Sequence, residues 1–140
     1  MHAHETRLRV RYAETDQMGV VHHSVYLIWM ELARVEYCKA AGCNYRDLER
    51  EENVVLAVVE THCRHLAPAR FDDEVIVKVW PEAANPRLLR FGYEIRRAED
   101  ARVLATGHTK HVFCTREMKP AKLPRKYHAV FGIQPLSGGR

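Results

Sequence analysis

A chain of 140 residues is the size of one ordinary domain and can bury a sizeable core without disulfides or structural metals. Its 22 Lys plus Arg against 18 Asp plus Glu leave a formal charge of +4, a mildly basic surface that favours anionic partners. That excess is too small to single out nucleic acid, and no strand pairs basic residues with aromatics in the manner of an RNA-binding platform.

Residues 6–12 alternate, with Leu8, Val10 and Tyr12 on one face and Arg7, Arg9 and Arg11 on the other, which predicts a half-buried strand with Tyr12 facing the interior. A polar loop over 13–23 follows. Residues 24–41 predict a helix, with Ser24 as N-cap and Gly42 just past its end. Its first turns, Val25-Tyr26-Leu27-Ile28-Trp29-Met30, are apolar all round, the pattern of a helix enclosed by other structure. Charge enters only at Glu31, Arg34, Glu36 and Lys39.

Four β-like runs come next, over 54–66, 74–81, 88–98 and 102–116, with turn signals at 67–73, 84–86 and 98–101. The stretch from Lys119 to Pro124 cannot continue a central strand, and 125–131 predicts a short terminal helix. One early strand, one buried helix and four later strands make an α+β pattern, a curved antiparallel β-sheet wrapped around one long central α-helix. The whole chain, 1–140, is expected to form this single domain. Strands rich in Val, Ile, Phe and Trp on both faces predict that the open face meets a second subunit, so at least a dimer is expected.

Cys38, Cys43, Cys63 and Cys114 form no CxxC pair and read as reduced core thiols. The N-terminus lacks the apolar stretch of a signal peptide, and no apolar run nears the ~20 residues that span a bilayer, so a cytoplasmic protein is expected.

Asp16 stands in the loop ahead of the apolar helix, where unpaired backbone N–H groups and the positive dipole end favour negative charge. A carboxylate beside such donors has the parts for acyl transfer: a nucleophile or general base, and a site for a developing oxyanion. His23 is the last loop position before the helix; its imidazole can orient substrate or donate a proton, and its N–H is the first candidate oxyanion donor. Tyr12 could bring its hydroxyl to the loop, and Gly19 permits a sharp turn. Each has a plainer account: a capping Asp, a solvated pair at His22 and His23, a buried Tyr. His62-Cys63-x-His65 and His108-x-x-His111 lie in strand-like runs, where residues three apart face opposite ways, so no metal site is expected there. The alternation instead puts His62 with Arg64 and His108 with Lys110, which reads as a polar sheet face.

The run Tyr12-x-x-x-Asp16-x-x-Gly19-Val-Val-His-His23-x-x-Tyr26, followed by Glu31-x-Ala33-Arg34, resembles the hotdog-fold acyl-CoA thioesterases of the 4-hydroxybenzoyl-CoA thioesterase-like group. It is most similar to the branch encoded with the Tol-Pal envelope genes, and the likeness continues through Arg64–Asp73 and the runs over 88–116. The resemblance implies hydrolysis of acyl-CoA to a free acid and coenzyme A, with Asp16 as nucleophile or general base and His23 assisting and supplying the oxyanion N–H. Tyr12 matches the tyrosine of that branch. His22 departs from the pattern, standing where an aromatic residue is common, and so does the order Glu14-Thr15. The resemblance also implies basic residues at the nucleotide end, here Arg87 and Arg90 for coenzyme A phosphates, and a homodimer that pairs into a tetramer. No cofactor is expected, coenzyme A being part of the substrate. The competing readings are a hotdog hydratase or dehydratase, whose His-Phe-Pro motif does not occur, and a non-catalytic acyl-thioester binding or docking module.

Overall fold

The computed structural model describes residues 2–134. In chain order it contains β1 (His4–Arg9), a 3₁₀ turn (Tyr12–Glu14), α1 (Val25–Ala40), α2 (Tyr45–Glu52), β2 (Val55–His65), β3 (Glu74–Asn85), β4 (Leu88–Arg97), β5 (Val103–Cys114) and a terminal 3₁₀ helix (Arg125–Phe131). The strands form one antiparallel sheet in the order β1-β3-β4-β5-β2, which leaves β1 and β2 at its edges.

Helix α1 lies on one face of this sheet. Tyr26, Trp29, Met30, Ala33, Tyr37 and Cys38 are buried at the spacing of a single helical stripe. They meet Val75, Val77 and Val79 of β3 and Phe91, Tyr93 and Ile95 of β4 in one core. At Gly107 of β5 the helix rests on backbone: a Cβ there would collide with the His62 carbonyl and come within 2.8 Å of the Met30 methyl.

The all-round enclosure expected of α1 does not occur within one chain, because Ile28 (58 % exposed) and Leu32 lie on the side away from the sheet. The strand expected over 6–12 ends at Arg9, since Val10 donates its N–H to the Asp73 carbonyl (2.9 Å) and the chain then turns. Strand β3 runs on to Asn85 rather than stopping near Pro81, because a register shift between Pro81 and Ala83 absorbs the residue that cannot donate. The Asn85 side chain then closes the hairpin, accepting from the N–H groups of Arg87 (2.8 Å) and Leu88 (2.9 Å).

Helix α2 was not anticipated. Asn44 caps it by accepting from Arg46 N–H (2.8 Å), and Asn53 ends it in the left-handed region. It buries only Leu48 among eight mostly charged residues, too little apolar content to announce a helix. Among the described residues no helix is long and apolar enough to cross a membrane.

Candidate functional site

The loop before α1 is built around a buried carboxylate that is not Asp16. Glu14 Oε1 accepts from the backbone N–H of Arg11 (2.8 Å), and Oε2 accepts from the Trp29 indole N–H (3.1 Å). The Glu14 carbonyl accepts from His22 N–H (2.9 Å), so one residue ties both arms of the loop to the helix. Sequence reading missed this role, since nothing local marks Glu14 as the acidic residue that goes inside.

Between those arms the chain forms a small hairpin. Thr15 bridges Val21, Asp16 N–H donates to the Val20 carbonyl (2.8 Å), and Gly19 N–H donates to the Asp16 carbonyl (3.0 Å) with Gly19 at φ 81°. Asp16 is half-buried at the start of this turn. Its Oδ1 accepts from Met18 N–H (2.8 Å), which fixes the carboxylate and leaves the second oxygen available.

Ser24 occupies the N-cap position as expected, and the His22 side chain holds it there. His22 Nδ1 accepts from Ser24 N–H (3.2 Å) and lies 2.8 Å from the Ser24 hydroxyl, while the His22 carbonyl accepts from Val25 N–H (2.9 Å). Ser24 makes no side-chain cap of its own. The His23 ring is exposed and stacks on His22 with centroids 4.2 Å apart. His23 N–H has no hydrogen-bond partner among the described residues, and it sits at the positive end of a 16-residue helix.

A second segment braces this corner. Val21 N–H donates to the Ala69 carbonyl (2.9 Å), Ala69 N–H donates to the Tyr26 hydroxyl (3.2 Å), and Val20 bridges Arg70. Burial raises the Tyr26 hydroxyl pKa above its ordinary value, so this phenol stays neutral.

Asp16 and His23 are therefore brought to one corner by a short, backbone-bonded loop. Tyr12 does not face the interior as expected. The 3₁₀ turn rotates it outward, where it is 75 % exposed and its ring meets Phe71 edge-on at 5.6 Å. The cause is Glu14, whose hold on Arg11 N–H breaks the strand alternation before Tyr12 is reached.

Arg87 and Arg90 lie elsewhere. The Asp16 loop packs near Ala69–Asp73, before β3 begins, whereas Arg87 lies past its other end, roughly 35 Å of strand away. Arg87 is exposed, and Arg90 is paired with Glu82 (Nε to Oε1, 2.8 Å). Arg70, opposite Val20, and Arg11, paired with Glu14, are basic residues that the fold does place beside the loop.

The paired strands β2 and β5 stack His62 on His108 (5.1 Å), with Glu60 3.2 Å from His108 Nε2. Among the described residues no group of three or more His, Cys, Asp or Glu is placed to hold a metal ion.

A family model for the thioesterase-like superfamily matches residues 10–131. The Escherichia coli acyl-CoA thioester hydrolase YbgC is 31 % identical, aligned over 89 % of this chain and 92 % of its own. The DHNA-CoA thioesterase of Staphylococcus aureus is 30 % identical with a TM-score of 0.87, covering 94 % of this chain and 89 % of its own. The Thermus thermophilus hypothetical protein TT1821 is 38 % identical with a TM-score of 0.87, covering 97 % of this chain and all (100 %) of its own. With the sheet, the single packed helix and the loop ahead of it in place, the chain belongs to the thioesterase-like superfamily and has its hotdog fold.

Proposed function

We propose that this protein is an acyl-CoA thioesterase that hydrolyses the thioester to a free acid and coenzyme A, with Asp16 driving the attack and the start of α1 holding the oxyanion. The observation that carries the reading is the pairing of a turn-held Asp16 carboxylate with an unengaged His23 N–H at a helix N-terminus. In the general-base route Asp16 takes a proton from water as its oxygen attacks the thioester carbon. In the nucleophilic route the carboxylate oxygen attacks directly and water then hydrolyses the anhydride. Either way the carbonyl oxygen gains negative charge, which the His23 N–H stabilises, and collapse breaks the carbon–sulfur bond. The departing thiolate takes up a proton, in the general-base route the one Asp16 accepted from water, which the exposed His23 imidazole can relay. Tyr12, exposed on the same loop, is assigned to contact with bound substrate.

The reading includes a second copy of the chain. Ile28 and Leu32 of α1 and Val58 and Val59 of the edge strand β2 are large apolar side chains that one chain leaves uncovered. A homodimer covers them, and pairing of dimers gives the tetramer. Arg87 and Arg90 then contact coenzyme A phosphates only at a partner's site, since they lie far from their own Asp16. Four free thiols suit the reducing cytoplasm, where the reading places the protein.

The test is a hydrolysis screen over short, long and aromatic acyl-CoAs with Asp16→Asn and Asp16→Ala as controls. Turnover by the wild type and a loss of about 10³-fold in both variants is expected, with unchanged circular dichroism. Near wild-type turnover in either variant sinks the assignment of Asp16. Saturable binding without turnover on every substrate sinks the reaction.

A further inference from the structure

Halfway along α1 the core contains a cation without a counter-ion. Arg34 is 7 % exposed, and none of the ion pairs among the described residues includes it. Burial works against its charge, and the neighbouring Tyr93, Tyr45 and Glu31 outweigh that, so Arg34 stays protonated. A buried charge needs a partner, and leaving it without one is strongly unfavourable.

The direction of the adjoining hydrogen bonds follows from which groups can only donate. Arg34 Nη1 donates to the Tyr93 hydroxyl (3.2 Å), because a guanidinium has no acceptor. The one arrangement that gives every hydroxyl proton an acceptor has Tyr93 donating to Thr109 Oγ1 (2.6 Å) and Thr109 donating to His111 Nε2 (2.8 Å). His111 is therefore the Nδ1–H tautomer. Burial, with the charge of Arg34 added, holds its pKa down to about 3, so the ring is neutral.

This leaves two buried donors with nothing to donate to. Arg34 Nε and His111 Nδ1 have no partner, nor does the buried Tyr45 hydroxyl. All three residues line one cavity of about 170 Å³ where α1, α2, β2 and β5 meet, lined also by Leu48, Val55 and Leu56. At about 30 Å³ per water that volume holds several waters or one small organic acid. Glu31 and Glu49 line the cavity too, but both are exposed and neither pairs with Arg34.

We propose that this cavity binds a carboxylate, whose oxygens accept from Arg34 and from the Nδ1–H of His111. The anion supplies the charge that Arg34 lacks, and the apolar wall of β2 receives its hydrocarbon part. The site lies on other residues than the loop 12–24 and stands whether or not the protein hydrolyses thioesters. The carboxylate is either a free acid or the far end of an acyl group.

The experiment is an NMR titration of the histidine-labelled full chain with acetate and then succinate, against chloride at equal ionic strength and pH 7. A saturable shift of the His111 ring resonances is expected in the wild type and in Asp16→Ala, and its loss in Arg34→Met. Glu31→Gln retains it, whereas loss there identifies Glu31 as a required member of the site and overturns the assignment. No saturable shift in the wild type overturns the proposal and leaves the cavity to water. Should Arg34→Met fail to fold, thermal unfolding of His111→Phe replaces it: acetate raises Tm in the wild type and not in the variant. An equal rise in both is a bulk salt effect and overturns the site. The source is separated by kinetics on the wild type and His111→Phe with an ω-carboxyacyl-CoA and the alkyl acyl-CoA of equal length. A wild-type preference of at least tenfold in kcat/KM that the variant loses assigns the site to the acyl end. Parity, with acetate still bound, assigns it to a free acid.

Discussion

At the start of α1 the polar groups come from one run of sequence, 14–24, and are held mostly by backbone bonds, whereas midway along it they come from α1, β4 and β5 and are held by side chains. The first corner is half-exposed and, the Glu14 carboxylate apart, its fixed points are mostly peptide groups, so its other side chains can change without unravelling the loop. The second is fully interior, and each member depends on the next. Replacing a group at the corner should therefore cost rate, and replacing one in the interior should cost stability.

The largest effect that tests this contrast is Asp16→Asn, with turnover down about 10³-fold while Tm moves by no more than a degree or two. A large drop in Tm would mean that the Asp16 turn supports the fold and would erase the distinction. Next comes the interior. His111 titrates at about 3 in the folded chain against 6.5 for an ordinary histidine, so between those values the unfolded chain binds the proton and the folded one does not. Its contribution is fully present above pH 6.5 and is lost as pH falls. Urea melts should show about 2 kcal/mol less stability at pH 5 than at pH 7 from this residue. The same pair of melts on His111→Phe should lack that share of the slope, and an unchanged slope would place the titration elsewhere.

Glu14→Gln lies between the two regions, since it removes charge from a loop residue that bonds a buried indole. A loss of about 1–2 kcal/mol is expected, with faster amide exchange at Arg11 and His22. Protection at those two amides equal to the wild type would show that the loop does not hang on Glu14. Smallest is Arg87→Ala, expected within about 0.5 kcal/mol of wild-type stability, because its side chain is exposed. Its KM for acyl-CoA, compared with that of Arg70→Ala, reports which of the two arginines meets phosphate.

The same contrast governs what could be read from sequence. The sharp turn at Gly19 ahead of the helix was legible because its determinants, Asp16, Gly19 and the helix start, are neighbours in the chain, whereas the small hairpin around it was read only as a polar loop. The alternation of Val75, Val77 and Val79 exposed β3 just as directly. Tyr12 was misplaced because Glu14 turns it outward through the Arg11 N–H, and Glu14 is itself held in place by Trp29, a partner that only the folded helix provides. Helix α2 was lost for want of an apolar stripe, its cap residue Asn44 being the one usable signal. The Arg34–Tyr93–Thr109–His111 chain left no trace, since its members lie 16 or more residues apart except for the last two.

Met30 lies between these two regions, resting over Gly107. At 1.5 Å per residue, Val25 is about 7.5 Å from that contact in one direction and Arg34 about 6 Å in the other. A rod supported near its middle on bare backbone behaves as a balance: a methyl group added at Gly107 lifts the fulcrum and can tip one end against the other. Gly107→Ala thus presses on the His62 carbonyl of β2 and on the Met30 methyl at once, so the edge strand, the helix N-terminus and the interior cation would all register a change at that single glycine.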